Sequence, residues 1–364
     1  MKPRTGNVFI ERIRKISVEN FGGLFNAHIH GDRVYTREDK YYEHKELSIS
    51  DFEKFGLKEK QNLTWVLHSG PAFEPECIEK RMRRLIEESI ACGVKRIDTT
   101  VDITYNTEFK SLEVAEKLKK EYKENGKMDL RIGAYNPSGF KDSEPQRFEI
   151  FEEGVRRADF IVALPEKDEK PGHIGAHSHN FYMLNLAYKY KKPIHFHVGQ
   201  ANLPHDRSVE ILLEDIYWKL DVDFRTDDFP EIDFVHFISP FCKPDEELDE
   251  IIDKLKKYNI GVICCPRAGI SMRQDRRFNA PIHNSLANIC YLAWKGEGKI
   301  RLKLGVDNLY DVFVPASDAD IATEAAEAAN ILRFYDERIW AKIASGEPLD
   351  DFDRGKIERA LFNS

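Results

Sequence analysis

The 364-residue sequence predicts an α/β chain folded as a (β/α)₈, TIM-like barrel. Three observations carry that expectation. Eight short apolar or β-branched runs recur along the chain, segments with helical periodicity separate them, and no Gly-x-Gly-x-x-Gly follows the first run. Alternating strands and helices imply a parallel sheet. Eight such units at this length favour a closed barrel over an open, doubly wound sheet. The missing glycine fingerprint removes the usual dinucleotide-binding alternative.

The strands are expected, in order, at Gly23–Ile29 (GLFNAHI), Lys95–Val101 (KRIDTTV), Leu130–Tyr135 (LRIGAY), Asp159–Leu164 (DFIVAL), Pro193–Val198 (PIHFHV), Asp233–Phe237 (DFVHF), Ile260–Cys265 (IGVICC) and Arg301–Val306 (RLKLGV). Helical patterns lie at Glu79–Ala91, Ser111–Glu124, Glu246–Tyr258 and Ile321–Ile343. In the third of these Leu248, Ile251, Ile252, Leu255 and Tyr258 recur at three- and four-residue steps, the apolar stripe of an amphipathic helix. Gly31–Pro75 is long and mixed and reads as a loop-rich insertion after the first strand, at the barrel end where long loops shape active sites. With no repeat and no low-complexity linker, residues 1–364 read as one domain whose barrel core runs from about residue 22 to 344.

Apolar residues at 41% and charged residues at 32% describe a globular protein. No run approaches the ~20 apolar residues of a membrane span. The basic start, Met1 to Arg14, lacks the apolar core of a secretory signal, so a cytoplasmic location is the default expectation. A formal net charge of −8 argues against nucleic acid as a partner. It leaves a small polar substrate, and self-association into a homo-oligomer, open. The six cysteines form no CxxC pair, and they read as buried reduced thiols.

The histidines carry most of the functional argument. His28 and His30 end the first strand at i and i+2, which points both to one face. His195 and His197 repeat the pattern on the fifth strand, and His197, nearer the C-terminal end, is favoured as the ligand. His236 lies near the end of the sixth strand, and Asp307 follows the eighth. Residues ending different strands of a barrel converge on its catalytic face. Nitrogen and carboxylate ligands of this kind suit one divalent ion, Zn²⁺ first and Fe²⁺ second. His44, His173 and His205 read as structural, and the His177/His179 pair as a loop and N-cap region.

The segments NAHIHGDR (Asn26–Arg33), IHFHVGQ (Ile194–Gln200), DFVHFISPF (Asp233–Phe241) and LGVDNLYDVFVP (Leu304–Pro315) together resemble the amidohydrolase superfamily. With RIDTTVDI (Arg96–Ile103), ALPEKDE (Ala163–Glu169) and the Asp-Asn-x-x-Asp run at Asp307–Asp311, they are most similar to its cytosine-deaminase-like branch. The likeness runs from about Gly22 to Ala344. It implies a single metal held by His28, His30, His197, His236 and Asp307. Leu164-Pro165-Glu166 looks like the mononuclear pattern, although Glu166 and Lys167 keep a second metal open.

The implied reaction is hydrolysis of a C–N bond, by deamination or by amide or amidine cleavage, in a small, nitrogen-rich, cyclic substrate. A divalent ion lowers the pKa of water toward ~7. Asp307 would then take the water proton as the main shuttle, and His236 would steady the developing negative charge. The relevant deaminases carry His-x-x-Glu after strand five. Here the fourth position is Gln200, which has no proton to exchange and can only orient water or bind substrate. Asn136, His68, Asn308 and Arg267 are the remaining candidate substrate contacts. The β-sandwich that flanks most family barrels is expected to be absent or vestigial. The competing expectations are a catalytically inactive metal-binding barrel acting as a ligand-binding protein, and a decarboxylase.

Overall fold

The computed structural model describes residues 6–52, 55–224, 229–271 and 285–362. Eight strands appear where the apolar runs placed them: β1 (Leu24–His30), β2 (Val94–Asp102), β3 (Asp129–Tyr135), β4 (Phe160–Ala163), β5 (Ile194–Val198), β6 (Ile232–His236), β7 (Gly261–Cys264) and β8 (Leu302–Leu304). Each pairs in parallel with the next, in sequence order. The barrel closes between β1 and the residues just after β8. His30 N–H donates to Asp307 O (2.8 Å), and Asp307 N–H donates to His28 O (2.9 Å). Gly305 permits that approach, because a Cβ there would lie 2.9 Å from His28 O and 3.1 Å from Cys265 Sγ. Among the described residues every paired strand belongs to this one sheet.

The helices cover the barrel as their stripes require. The helix Asp245–Lys257 buries Leu248, Ile251, Ile252 and Leu255. Its first turn holds Asp245, Glu246 and Glu247, and its last holds Lys254, Lys256 and Lys257, so charge follows the helix dipole at both ends. Each such aliphatic side chain contributes roughly 1.5–3 kcal/mol when fully buried. Truncating Leu255 to Ala would cost about 2–5 kcal/mol.

Two expectations need correction. The helix read as Ile321–Ile343 is two helices, Ile321–Leu332 and Glu337–Ser345. Arg333 turns into the left-handed region (φ 54°), and the Asp336 side chain accepts from Arg338 N and Ile339 N to start the second helix. The His177/His179 pair sits in the first turn of the helix Ala176–Tyr190, where His177 bonds Asp215 and His179 bonds Asp168.

The insertion after β1 is packed rather than loose. It contains the short helices Leu57–Asn62 and Thr64–His68 and buries Tyr42, Phe52, Val66 and Phe73. The Arg81 guanidinium ties its two ends together, donating to the carbonyls of Asp32 (2.7 Å), Val34 (2.8 Å) and Ala72. None of the six cysteines is in a disulfide. Among the described residues, no helix is long and apolar enough to cross a membrane.

Candidate metal centre

Strand ends assemble the site. His28 and His30 project from β1 into the barrel mouth, His197 from β5 and His236 from β6, and Asp307 follows β8. All five are buried. One ligand atom each from His28, His30, His197 and Asp307 lies within 4.8 Å of all the others. Asp307 Oδ1 is 3.5 Å from His28 Nε2 and 3.4 Å from His30 Nε2, while Asp307 Oδ2 is 3.9 Å from His236 Nε2. The closing hydrogen bonds of the barrel run through the same Asp307 peptide, so closure and ligand placement are one event.

Two of these residues carry backbone strain. His236 has φ 75° and Asp307 φ 63°, with Phe237 at 53° beside the former. A non-glycine residue held in a sparsely populated region costs on the order of 1–3 kcal/mol and persists only where its surroundings over-determine it. Here the ladder does so, through Phe237 N–H to Val198 O (3.1 Å) and Ile238 N–H to Gly199 O (2.8 Å).

The electrostatics fit a set of residues that could hold a metal. Burial pushes His30 down to about 3, and the Arg33 guanidinium adds to the shift. Burial also drives His197 far down, with His28, His30 and His236 beside it, and lowers His236. Burial alone would raise Asp307, but His236, His28 and His30 hold its carboxyl well below the usual range. His30, His197 and His236 are therefore neutral imidazoles beside a carboxylate, the protonation state that binds metal. His28 Nδ1 and Nε2, His197 Nε2, His236 Nδ1 and Asp307 Oδ1 are buried without a hydrogen-bond partner. One of the two His28 nitrogens, His197 Nε2 and Asp307 Oδ1 belong to the cluster whose ligand atoms lie within 4.8 Å of one another; left unpaired they would be costly in a merely structural cluster, and one divalent cation would satisfy them.

Outer contacts orient the ligands. His197 Nδ1 meets Ala163 O at 3.2 Å, His30 Nδ1 meets Thr100 Oγ1 at 2.7 Å and also touches Arg33, and Asn308 Nδ2 donates to Asp307 Oδ2 at 2.7 Å. His195 lies deeper in the barrel, against Phe160 and 3.7 Å from Asp233 Oδ2.

The centre opens into a cleft lined by His30, His197, His236 and Asp307 and, among others, by Arg33, Lys60, Gln61, Tyr135, Gln200, Asn308 and Phe313. Of the substrate-contact candidates, only Asn308 lines it, as does Gln200. The other three are spent on the protein itself. Asn136 donates to Gly139 O and accepts from Ser138 N within its own turn. His68 Nε2 binds Asp102 Oδ2 at 2.9 Å. Arg267 is turned outward onto the helix Ile321–Leu332, with Nε on Glu324 Oε1 (2.7 Å), its own backbone N–H on Glu324 Oε2 (3.0 Å), and a guanidinium nitrogen on Asp318 Oδ1 (3.0 Å).

The structure adds Arg33, Lys60, Gln61 and Tyr135 to the cleft. Arg33 had a signal, three residues beyond His30. Lys60 and Gln61 had none, because the insertion has no periodicity to read.

A scan against protein-family models finds no match for this chain. A curated protein from Haemophilus influenzae, itself uncharacterized, is 25% identical over 265 residues, which is 73% of this chain and 88% of that protein. Among solved structures, 5-methylcytosine deaminase from Klebsiella pneumoniae liganded with 5-fluorocytosine superposes with a TM-score of 0.70 at 19% identity, covering 93% of this chain and 82% of that one. N-isopropylammelide isopropylaminohydrolase from Burkholderia multivorans gives a TM-score of 0.63 at 15% identity, over 89% of this chain and 71% of that one. Guanine deaminase from C. acetobutylicum gives 0.54 at 12%, over 91% and 75%. The chain shares the fold of these enzymes. At such identities the likeness speaks for the barrel, and the chemistry has to be argued from the centre itself.

Proposed function

We propose that this chain is a metal-dependent hydrolase of the amidohydrolase superfamily, cleaving a C–N bond in a small cyclic, nitrogen-rich compound by deamination or by amide or amidine hydrolysis. The observation that carries this reading is the buried cluster of His28, His30, His197 and Asp307 where the cleft opens, with His236 Nε2 3.9 Å from Asp307 Oδ2 beside it. The deaminases and the aminohydrolase that share the fold supply the substrate class.

A divalent ion, Zn²⁺ before Fe²⁺, supplies Lewis acidity and a nucleophilic water at neutral pH. Around it the chain's own groups divide the work. Asp307 accepts a hydrogen bond from the attacking water and is the first base its proton meets. His236 steadies the negative charge that develops on the attacked group. Gln200 and Asn308, both on the cleft, hold the substrate in register. A cytoplasmic enzyme with a small-molecule partner is the setting this reading implies.

Element analysis should find one divalent ion per chain in the purified protein, and the His28→Ala, His30→Ala double variant should lose most of it. Full retention by that variant would sink the ligand assignment. An ammonia-release screen over pyrimidines, triazines, pterins and creatinine-like compounds then tests the reaction. A second reading, a barrel that binds metal and ligand without turnover, rests on Gln200. Tight binding of a screened compound without ammonia release would favour it.

A further inference from the structure

Hydrolysis of a C–N bond needs a group that accepts a proton from water and gives it back to nitrogen, and an amide at position 200 does neither. What Gln200 touches is therefore informative. Its Nε2 donates to Glu166 Oε1 at 2.7 Å. Gln61 Nε2, from the insertion after β1, donates to the same oxygen at 2.6 Å. Both glutamines line the cleft that holds His30, His197, His236 and Asp307. Glu166 lies in the turn Pro165–Asp168, directly after β4 and beside β5.

The geometry sets this carboxylate apart from the structural ones. No lysine, arginine or histidine forms an ion pair with it among the described residues, whereas Asp98, Asp233 and Asp353 are each held by cations. A carboxylate only accepts, so both glutamines must turn their NH₂ groups toward it. That fixes Glu166 Oε1 in a two-donor clamp. Glu166 Oε2 takes no hydrogen bond among the described residues, and the side chain is only half-buried, so protons can reach it. Tyr135, another cleft residue, feels the charges of both Glu166 and Asp307.

We propose that Glu166 is the proton carrier of the reaction: it does not itself line the cleft, but it is held beside it by Gln61 and Gln200, which do. This rests on the hydrolase reading given above. The water oxygen bonds to the substrate carbon, whose π bond opens onto its other heteroatom, as one water proton passes, by way of Asp307, to Glu166 Oε2; the remaining hydroxyl proton ends on that heteroatom as the product carbonyl forms. The C–N bond then breaks with its electron pair on nitrogen, and Glu166 gives the proton to that nitrogen, which leaves as ammonia or an amine. Glu166 ends as it began, ionised, and no other reactant is consumed.

The experiment uses metal-loaded protein and the compound that releases most ammonia in the screen. Glu166→Gln keeps the side chain's size and removes its basicity. It should lower kcat by about 10²–10⁴-fold, the usual range for one general acid–base group, with KM within threefold and metal content unchanged. The exchange variant Glu166→Gln, Gln200→Glu restores a carboxylate–amide pair with its partners reversed, and should regain at least tenfold over Glu166→Gln alone. A readout independent of turnover is the affinity for a phosphonate analogue of the tetrahedral adduct, phosphonocytosine being the probe if cytosine is the substrate. It should weaken in Glu166→Gln while ground-state substrate affinity stays. A Glu166→Gln enzyme with kcat within threefold of wild type, or one whose loss is all in KM, overturns the proposal; the second result would make Glu166 a positioning residue for the two glutamines. No ammonia from the wild type on any compound is a different failure, since it overturns the hydrolase reading and this inference with it.

Discussion

The two walls of the cleft are built differently. The metal wall comes from strand ends, with His28 and His30 on β1, His197 on β5, His236 on β6 and Asp307 after β8, all buried and locked by the ladder. The facing wall comes from connections: Lys60 and Gln61 from the insertion, Gln200 from the turn after β5, and Asn308 and Phe313 from the segment after β8. Lys60 and Gln61 are half-buried, and Lys60 is lowered chiefly by burial. On the proposed reading, the groups that would hold an ion sit at strand ends, where the ladder fixes the backbone. The groups that would select a substrate sit on connections, where sequence can change without disturbing the barrel. The comparison predicts that variants on the two walls fail differently, the first in chemistry and the second in binding.

The largest effect belongs to the metal wall. Asp307→Asn keeps size and shape but removes the charge that faces three histidines and the base that meets the attacking water. Turnover of any substrate found should fall by at least 10³-fold, even where some metal remains bound. Steady-state kinetics beside metal analysis checks this. Near-normal kcat in Asp307→Asn would break the comparison at its strongest point.

The facing wall should answer with KM. Gln200→Ala removes a cleft amide and one of the two donors to Glu166, while Gln61 remains. KM should rise about tenfold, the worth of one hydrogen bond to substrate at about 1–1.5 kcal/mol, and kcat should fall less than KM rises. A Gln200→Ala enzyme dead in kcat with unchanged KM would move Gln200 across to the chemical wall.

The same division explains what was legible in sequence. The eight strands and the placement of His28, His30, His197, His236 and Asp307 were readable because strand alternation fixes both face and height in a barrel. Arg267 was not, because its direction depends on Glu324, 57 residues away on another helix. His68 and Asn136 were spent on Asp102 and on a local turn, partners that a one-dimensional pattern does not reveal. Glu166 drew notice only as a second-metal candidate. Its pairing with Gln61 spans 105 residues and begins in a segment without periodicity. The split of the helix at Arg333 was hidden because the apolar stripe continues across the break.

A smaller effect, in stability rather than rate, tests whether the facing wall's support is as well satisfied as the metal wall's. Asp311 is buried in the segment after β8, and its Oδ1 accepts the backbone N–H groups of Phe313 (2.8 Å) and Val314 (2.9 Å). Burial pushes its carboxyl up to about 6, against the pull of those two amides and of Arg33. A carboxyl raised in the fold keeps its proton there while the unfolded chain, with an ordinary Asp, has already lost it. Stability therefore falls as pH rises from about 4 to about 6, and is flat with respect to this group above that. A shift of this size corresponds to roughly 2–3 kcal/mol at most. Asp311→Asn offers the same Oδ1 acceptor to both amides and never ionises. Below pH 4 the variant and the wild type should unfold alike, and between pH 4 and 6.5 the variant should gain progressively, to a Tm several degrees higher. Denaturation of chelator-treated protein across that range isolates the effect from metal binding. A variant that is less stable at pH 6.5 than at pH 4, relative to wild type, would mean that the Asp311 charge itself supports the segment carrying Phe313 and Asn308, and that this part of the facing wall is held as firmly as the metal wall.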